Sequence, residues 1–233
     1  MIFSIQDRQE TFDFILSKPL LLRACEEGHF GKNHVYENGS IAEALFTYLS
    51  GKPNETLFNQ LCMPKCGRHL VCLSEEWENF IRQDCPDAET YLRYEMKASN
   101  HFIFPDLDEL PTGYELQKFG EKEFDAKPFS HGNNYKSAED FITNGAGAVI
   151  WHEGKIVSSA SSFISFENEV ELDFSTLEDY RRRGLANHCI SEMLKDCERR
   201  GLLVHWNAQT EISRNIAFKF GFELNQRYMV YIV

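Results

Sequence analysis

Three arginines and a glycine, Arg181-Arg182-Arg183-Gly184, stand between an alternating stretch that ends at Thr176 and a helical periodicity that begins at Leu185. Strand, basic turn, helix is an order that gathers backbone N–H groups around an anion. The first amides of a helix lack intrahelical acceptors and sit at the positive end of its dipole. Gly184 lets the main chain come close to a ligand. Guanidinium groups add charge-assisted bonds that suit phosphate oxygens. Arg181, Arg182, Arg183, Gly184, Leu185 and Ala186 are therefore candidates to hold a phosphate, with a solvated turn that caps the helix as the plain alternative. The spacing is neither that of the dinucleotide G-x-G-x-x-G nor that of the Walker loop.

Just upstream, Glu169, Glu171 and Asp173 alternate with Val170, Leu172 and Phe174, which predicts a half-buried strand with an acidic face. Alternate residues of a strand are roughly 6 to 7 Å apart. Carboxylates so close repel one another, which favours a proton on at least one of them and equips it for general acid–base work. Glu171, central in the row, is the first choice, Glu169 and Asp173 the others; a merely wet strand face is the plain alternative. Cys62-x-x-x-Cys66-x-x-His69-x-x-Cys72 has zinc-ligand residue types, but the first spacing is loose and Cys72 sits in an apolar run, so no metal is expected. His29, His34 and His205 stand apart and read as structural. Trp151 and Trp206 sit in strands and read as core packing or as lining of the substrate cleft.

These residues need elements to position them. Helical periodicity covers Thr11 to Leu16 and Ile41 to Leu49, the second stopped by Gly51 and Pro53. A strand over His69 to Leu73 precedes a helix capped by Ser74. Residues 104–113 hold two prolines, a glycine and three acids, which predicts a linker and a division into an N-terminal α/β domain at 1–108 and a second domain at 109–233. Beyond it come a strand at 114–119, a short helix near 137–143 and a strand at 146–151 turned by His152-Glu153-Gly154-Lys155 into a hairpin with 156–166. The acidic strand at 169–176 follows, then an amphipathic helix from Leu185 to Arg200 closed by Gly201. A strand at 202–206, a helix at 212–220 closed by Gly221 and a last strand at 228–233 complete the order.

At 233 residues the chain can bury one large core or two smaller ones. Thirty-six acids against 24 bases give a net charge of -12, which argues against general binding to nucleic acid or an anionic membrane. The amino terminus lacks a basic start and an apolar stretch, and no run approaches the ~18 apolar residues of a membrane span. With seven cysteines, an odd number, this predicts reduced thiols and a cytoplasmic protein.

Arg181-x-x-Gly184-x-Ala186 resembles the R/Q-x-x-G-x-G/A signature of the GNAT superfamily of N-acetyltransferases, and Ala217-Phe218-Lys219-Phe220-Gly221-Phe222 is similar to that family's closing elements. In order and spacing, residues 114–233, about half the chain, resemble the whole family core, an α/β (α+β) fold with a mixed, splayed central sheet. Trp206-Asn207, Ser213 and Ala217 resemble a bacterial branch of larger members that includes the zwittermicin resistance acetyltransferase, in which a degenerate GNAT-like half comes first. The resemblance implies acetyl-CoA as co-substrate and no metal. Backbone groups of Phe174, Ser175 and Thr176 would pair with the pantetheine arm, residues 181–186 would hold the pyrophosphate, and Asn207 and Ser213 would line the far wall. It also implies direct attack by an amine on a thioester polarised by a strand N–H, with no covalent enzyme intermediate.

Family members often carry a tyrosine near the end of the penultimate helix as acid toward the leaving thiolate. Here Ala217 and Phe218 stand there, and Tyr228 is the substitute. The expected partners are acetyl-CoA and a small, cationic amine of antibiotic or amino-sugar type, with the N-terminal half as cover of the acceptor cleft; a homodimer is compatible with the sequence. The alternative is an acyl-CoA-binding sensor or scaffold without catalysis.

Overall fold

The computed structural model describes residues 18–63, 67–98, 101–126, 129 and 133–233. The helical periodicity of Thr11 to Leu16 lies outside them. The chain divides into two compact units, one of residues up to Glu95 together with Asn225–Val233, the other of Met96–Leu224.

The first unit opens with helix α1 (Leu20–Glu26) and the strands β1 (Lys32–Tyr36), β2 (Gly39–Glu43) and β3 (Thr47–Gly51). Helix α2 (Glu55–Leu61), β4 (His69–Cys72), α3 (Glu75–Asp84) and β5 (Glu89–Ala98), the end of which from Met96 on belongs to the second unit, follow. The helix expected over Ile41 to Leu49 is instead an antiparallel strand pair, with Ile41 opposite Leu49 and Ala42 opposite Tyr48. Ile41, Ala42 and Leu49 are fully buried. An apolar run covered on both faces carries no period of two, so Ala, Glu and Leu imitate a helix until tertiary pairing overrides them. Gly51, read as a helix stop, ends β3 at φ 71°, where a Cβ would lie 2.1 Å from the Asn38 carbonyl oxygen. The Ser74 cap forms as expected. Its hydroxyl accepts from the Trp77 N–H at 3.3 Å and donates to the Gly51 carbonyl at 2.6 Å. Trp77 then fills a core with Ile41, Leu49, Phe58, Leu70 and Ile81.

The second unit contains β6 (Tyr114–Lys118), α4 (Glu121–Ala126), α5 (Ala138–Asn144), β7 (Gly147–His152), β8 (Lys155–Phe166) and β9 (Glu169–Thr176). A single 3-10 turn (Glu178–Tyr180) leads to α6 (Leu185–Arg200), β10 (Leu203–Ala208), α7 (Glu211–Lys219) and β11 (Phe222–Ile232), whose second part belongs to the first unit. There it pairs antiparallel with β4, Tyr231 opposite Leu70.

The sheet order of the second unit is β10-β9-β8-β7-β6. All its pairs are antiparallel except β10 with β9. This is the mixed sheet of an α/β fold. The β7–β8 hairpin turns on Glu153 and Gly154, both with left-handed φ, as a two-residue turn matched to strand twist requires.

Helix α6 lays Leu185, Cys189, Ile190, Met193, Leu194 and Cys197 against β7 and β8. Asp196, the buried acid of that helix, accepts from Lys118 Nζ at 2.7 Å, from Arg200 Nη1 at 3.2 Å and from Arg199. The stretch at 104–113 has neither helix nor strand, yet the segment containing it is fastened within the second unit. Ile103 N–H donates to the Phe220 carbonyl at 3.1 Å, and the Phe102 ring stacks on Phe222 at 5.6 Å. The division read at 108 therefore falls inside the second unit.

Candidate functional site

The two edges of strand β9 differ. Toward β8 it is laddered to its end, Asp173 opposite Ser161 through Thr176 opposite Ser158. Toward β10 the pairing covers only Glu169, Val170 and Glu171. From there the two parallel strands part. The Leu177 N–H bonds to the Val157 carbonyl at 2.9 Å, so odd-numbered peptide groups point to β8. The alternation of a ladder then turns those of Phe174 and Thr176 to the edge that β10 leaves. The Thr176 carbonyl accepts from Arg181 Nε at 3.2 Å. The Phe174 N–H donates to Asp173 Oδ1 at 2.9 Å. Opposite Leu172 and Glu171 the register of β8 shifts between Ser162 and Ile164, a bulge of the kind that re-aims side chains beside active sites.

The acidic face is less open than expected. Glu171 is only 7% exposed, because β10 lies beside it with His205 in register. Its Oε1 accepts from Asn207 Nδ2 at 2.8 Å. Glu169 Oε2 lies 2.5 Å from His205 Nε2. Asp173 is half-buried. His205, read as isolated, and Asn207, assigned to the cofactor wall, are thus the neighbours of the carboxylate row. Their spacing of two on β10 is the signal that places both on the face of Glu169 and Glu171. Ser213, the other wall residue, accepts from Trp206 Nε1 at 3.1 Å. Trp206 packs edge-on against Phe174 at 5.6 Å and Phe222 at 5.2 Å. On α7, Ala217 is buried and Phe218 half-exposed. Tyr228 lies on the part of β11 that belongs to the first unit.

The basic turn holds two left-handed residues. Gly184 caps α6 at φ 76° with no side-chain cap on the first turn. Arg182 is also left-handed, at φ 63°, which for a residue with a Cβ costs about 1–2 kcal/mol. A Cβ on Gly184 would meet nothing within 4 Å, so the space before the helix end is open. The three guanidinium groups differ. Arg181 is bonded to the end of β9. Arg183 donates to Tyr114 Oη at 2.7 Å and to the Asp179 carbonyl at 2.8 Å, and lies over the Tyr180 ring. Tyr114 in turn stacks on His152 at 4.1 Å. Arg182 is exposed on the turn itself. The brace of Arg183 by Tyr114, His152 and Tyr180 had no signal in the sequence, since Tyr114 and Arg183 are 69 residues apart.

In the cysteine pattern, Cys62 is buried in the core of the first unit and Cys66 lies outside the described residues. His69 Nδ1 is 2.7 Å from Tyr91 Oη. Burial pushes the Cys72 thiol well up, with Glu78 adding to it. His34 Nε2 lies 2.8 Å from Glu43 Oε2.

A family model described as GNAT acetyltransferase matches residues 16–231. The chain belongs to the GNAT acetyltransferase family. The match runs through both units, where the sequence resemblance covered only residues 114–233. The chain is 25% identical over 173 residues to the uncharacterized N-acetyltransferase YdfB of Bacillus subtilis (strain 168), an alignment over 70% of this chain and 64% of that protein. It thus spans just under two thirds of that relative. A GCN5-related N-acetyltransferase-like protein from Streptococcus suis 89/1591 superposes with a TM-score of 0.81 at 29% identity, covering 97% of this chain and 98% of the other. A GCN5-related N-acetyltransferase from Kribbella flavida shares the fold, with a TM-score of 0.60 at 13% identity over 93% and 96% of the two chains. Among the described residues, no helix is long and apolar enough to cross a membrane.

Proposed function

We propose that this protein is an N-acetyltransferase that moves the acetyl group of acetyl-CoA directly to a primary amine of a small molecule. The observation that carries this reading is the parting of β10 from β9 beyond Glu171, beside the left-handed turn at the start of α6. A pantetheine arm has amide groups spaced to bond along the free edge of Phe174 to Thr176, as an added strand does. Its pyrophosphate then lies at the amides of 182–186, with Arg182 as the guanidinium free of the loop's own bonds and Arg181 beside it.

In this reading the Phe174 N–H polarises the thioester carbonyl. Glu171 takes a proton from the ammonium form of the acceptor. The neutral amine adds to the thioester carbon, and the oxyanion faces Phe174. The C–S bond then breaks, and the departing thiolate ends with the proton that the new amide nitrogen sheds. Coenzyme A thiolate leaves well enough to need no strong acid, consistent with Ala217 and Phe218 in α7. The net charge of -12 supports a cationic acceptor. The resemblance to the branch of the zwittermicin resistance acetyltransferase supports one of antibiotic or amino-sugar type.

A thermal-shift series with acetyl-CoA, longer acyl forms and CoA tests the donor. Ligand at a hundred times its dissociation constant stabilises by about 2.7 kcal/mol. A raised midpoint with acetyl-CoA is expected, and no shift with any of them would overturn the reading. Thiol release with a panel of amines then identifies the acceptor.

A further inference from the structure

Phe174 occupies an unusual position on β9. Its N–H points to the edge that β10 does not reach, and its ring packs against Trp206. An edge amide in apolar surroundings with no acceptor costs free energy. Asp173 meets that need by folding its carboxylate onto the N–H of the very next residue, Oδ1 at 2.9 Å. The carboxylate stands where an acceptor oxygen from an added strand would be. Under the acyl-CoA reading, on which this inference rests, that is the place of the thioester carbonyl.

We propose that Asp173 is a placeholder for the thioester carbonyl, displaced from the Phe174 N–H when acyl-CoA enters and thereby released to bind the positive charge of the incoming amine. The two carboxylates of β9 differ in exposure and in what they bond. Glu171 is buried and held by Asn207, as a fixed base should be. Asp173 is half-buried on the same strand face, with its Oδ1 on the Phe174 N–H. Once released, it lies one strand repeat, roughly 6 to 7 Å, from Glu171, and the repulsion between two close carboxylates is relieved by a cation arriving between them. Donor loading therefore creates the acceptor's charge site, and binding is ordered with acyl-CoA first.

Asp173→Ala and Asp173→Asn test this by calorimetry with acetyl-CoA and with CoA, which has the thiol but no carbonyl, beside steady-state kinetics with a responsive amine. Removal of the competing acceptor in Asp173→Ala should tighten acetyl-CoA about three- to tenfold and leave CoA unchanged. Asp173→Asn keeps a neutral oxygen for the Phe174 N–H, so its acetyl-CoA affinity should stay near that of the wild type. Both variants should raise the KM of the amine more than they lower the rate at saturating amine. Acetyl-CoA binding to Asp173→Ala no tighter than to the wild type, or a gain shared equally by CoA, overturns the placeholder. An amine KM unchanged in Asp173→Asn overturns the role of Asp173 in acceptor binding, and this variant preserves the side-chain shape should Asp173→Ala fold poorly. No binding of acetyl-CoA to the wild type is a different result, which removes the acyl-CoA reading and this inference with it.

Discussion

Replacement of Glu171 by Gln isolates the proposed base, because glutamine keeps the carbonyl oxygen that accepts from Asn207 Nδ2 and loses only the capacity to take a proton. The magnitude follows from the acceptor. An alkylamine with a pKa near that of lysine, about 10.4, is neutral in roughly one molecule in a thousand or fewer at pH 7. A positioned general base contributes about 10²–10⁴-fold. The variant should therefore lose two to four orders of magnitude (about 10²–10⁴-fold) in kcat at pH 7 while its affinity for acetyl-CoA is unchanged. Its rate should then climb about tenfold per pH unit as the free amine accumulates, because solution does the work the carboxylate did. Thiol release measured from pH 6.5 to 9.5, with calorimetry of acetyl-CoA, reads both effects. A variant that keeps a third or more of the wild-type rate at pH 7, or that parallels the wild-type pH profile, would refute Glu171 as base and move attention to Glu169 beside His205. Asn207→Ala should act in the same sense more weakly: loss of a donor to the ionised base moves the rising limb of the pH–rate profile to higher pH.

Asp196→Asn should cost about 2–4 kcal/mol at pH 7, because it strips a buried acceptor from three cations, of which Lys118 and Arg199 are partly screened by solvent. Burial pushes the Asp196 carboxyl up, but Lys118, Arg199 and Arg200 together outweigh it and hold it below the ordinary 3.8; its contribution is thus present above that pH and lost as pH falls through the lower folded value, so melting curves of wild type and variant should converge under strong acid. Gly184→Ala should cost about 1–2 kcal/mol of stability through its left-handed φ of 76°, and it should weaken acetyl-CoA tenfold or more, since the added methyl enters space that is open in the free chain; equal affinity in calorimetry would show that no phosphate approaches there.

What was legible in the sequence is what repeats locally. Helix α6 was found at its exact bounds because Leu185, Cys189, Ile190, Met193, Leu194 and Cys197 keep a helical period and Gly201 ends it. The acidic strand and the β7–β8 hairpin were found for similar reasons, one from its alternation and the other from its Gly154 turn. The run from Ile41 to Leu49 failed because burial on both faces erases the period of two that marks a strand. The brace of Arg183 by Tyr114, His152 and Tyr180 was invisible because it joins residues far apart in the chain.

By itself the sequence determined that a basic, glycine-bearing turn joins an acidic strand to an amphipathic helix, since each of those is a property of neighbouring residues. Only the tertiary structure decided that β10 pairs with β9 as far as Glu171 and no further, leaving the Phe174 N–H on a free edge. That register decides which carboxylate is buried beside Asn207 and which is folded onto its neighbour's amide. Helix α6 lies between the two strands in the chain, and side-chain periodicity along either strand carries no record of where two parallel strands stop meeting.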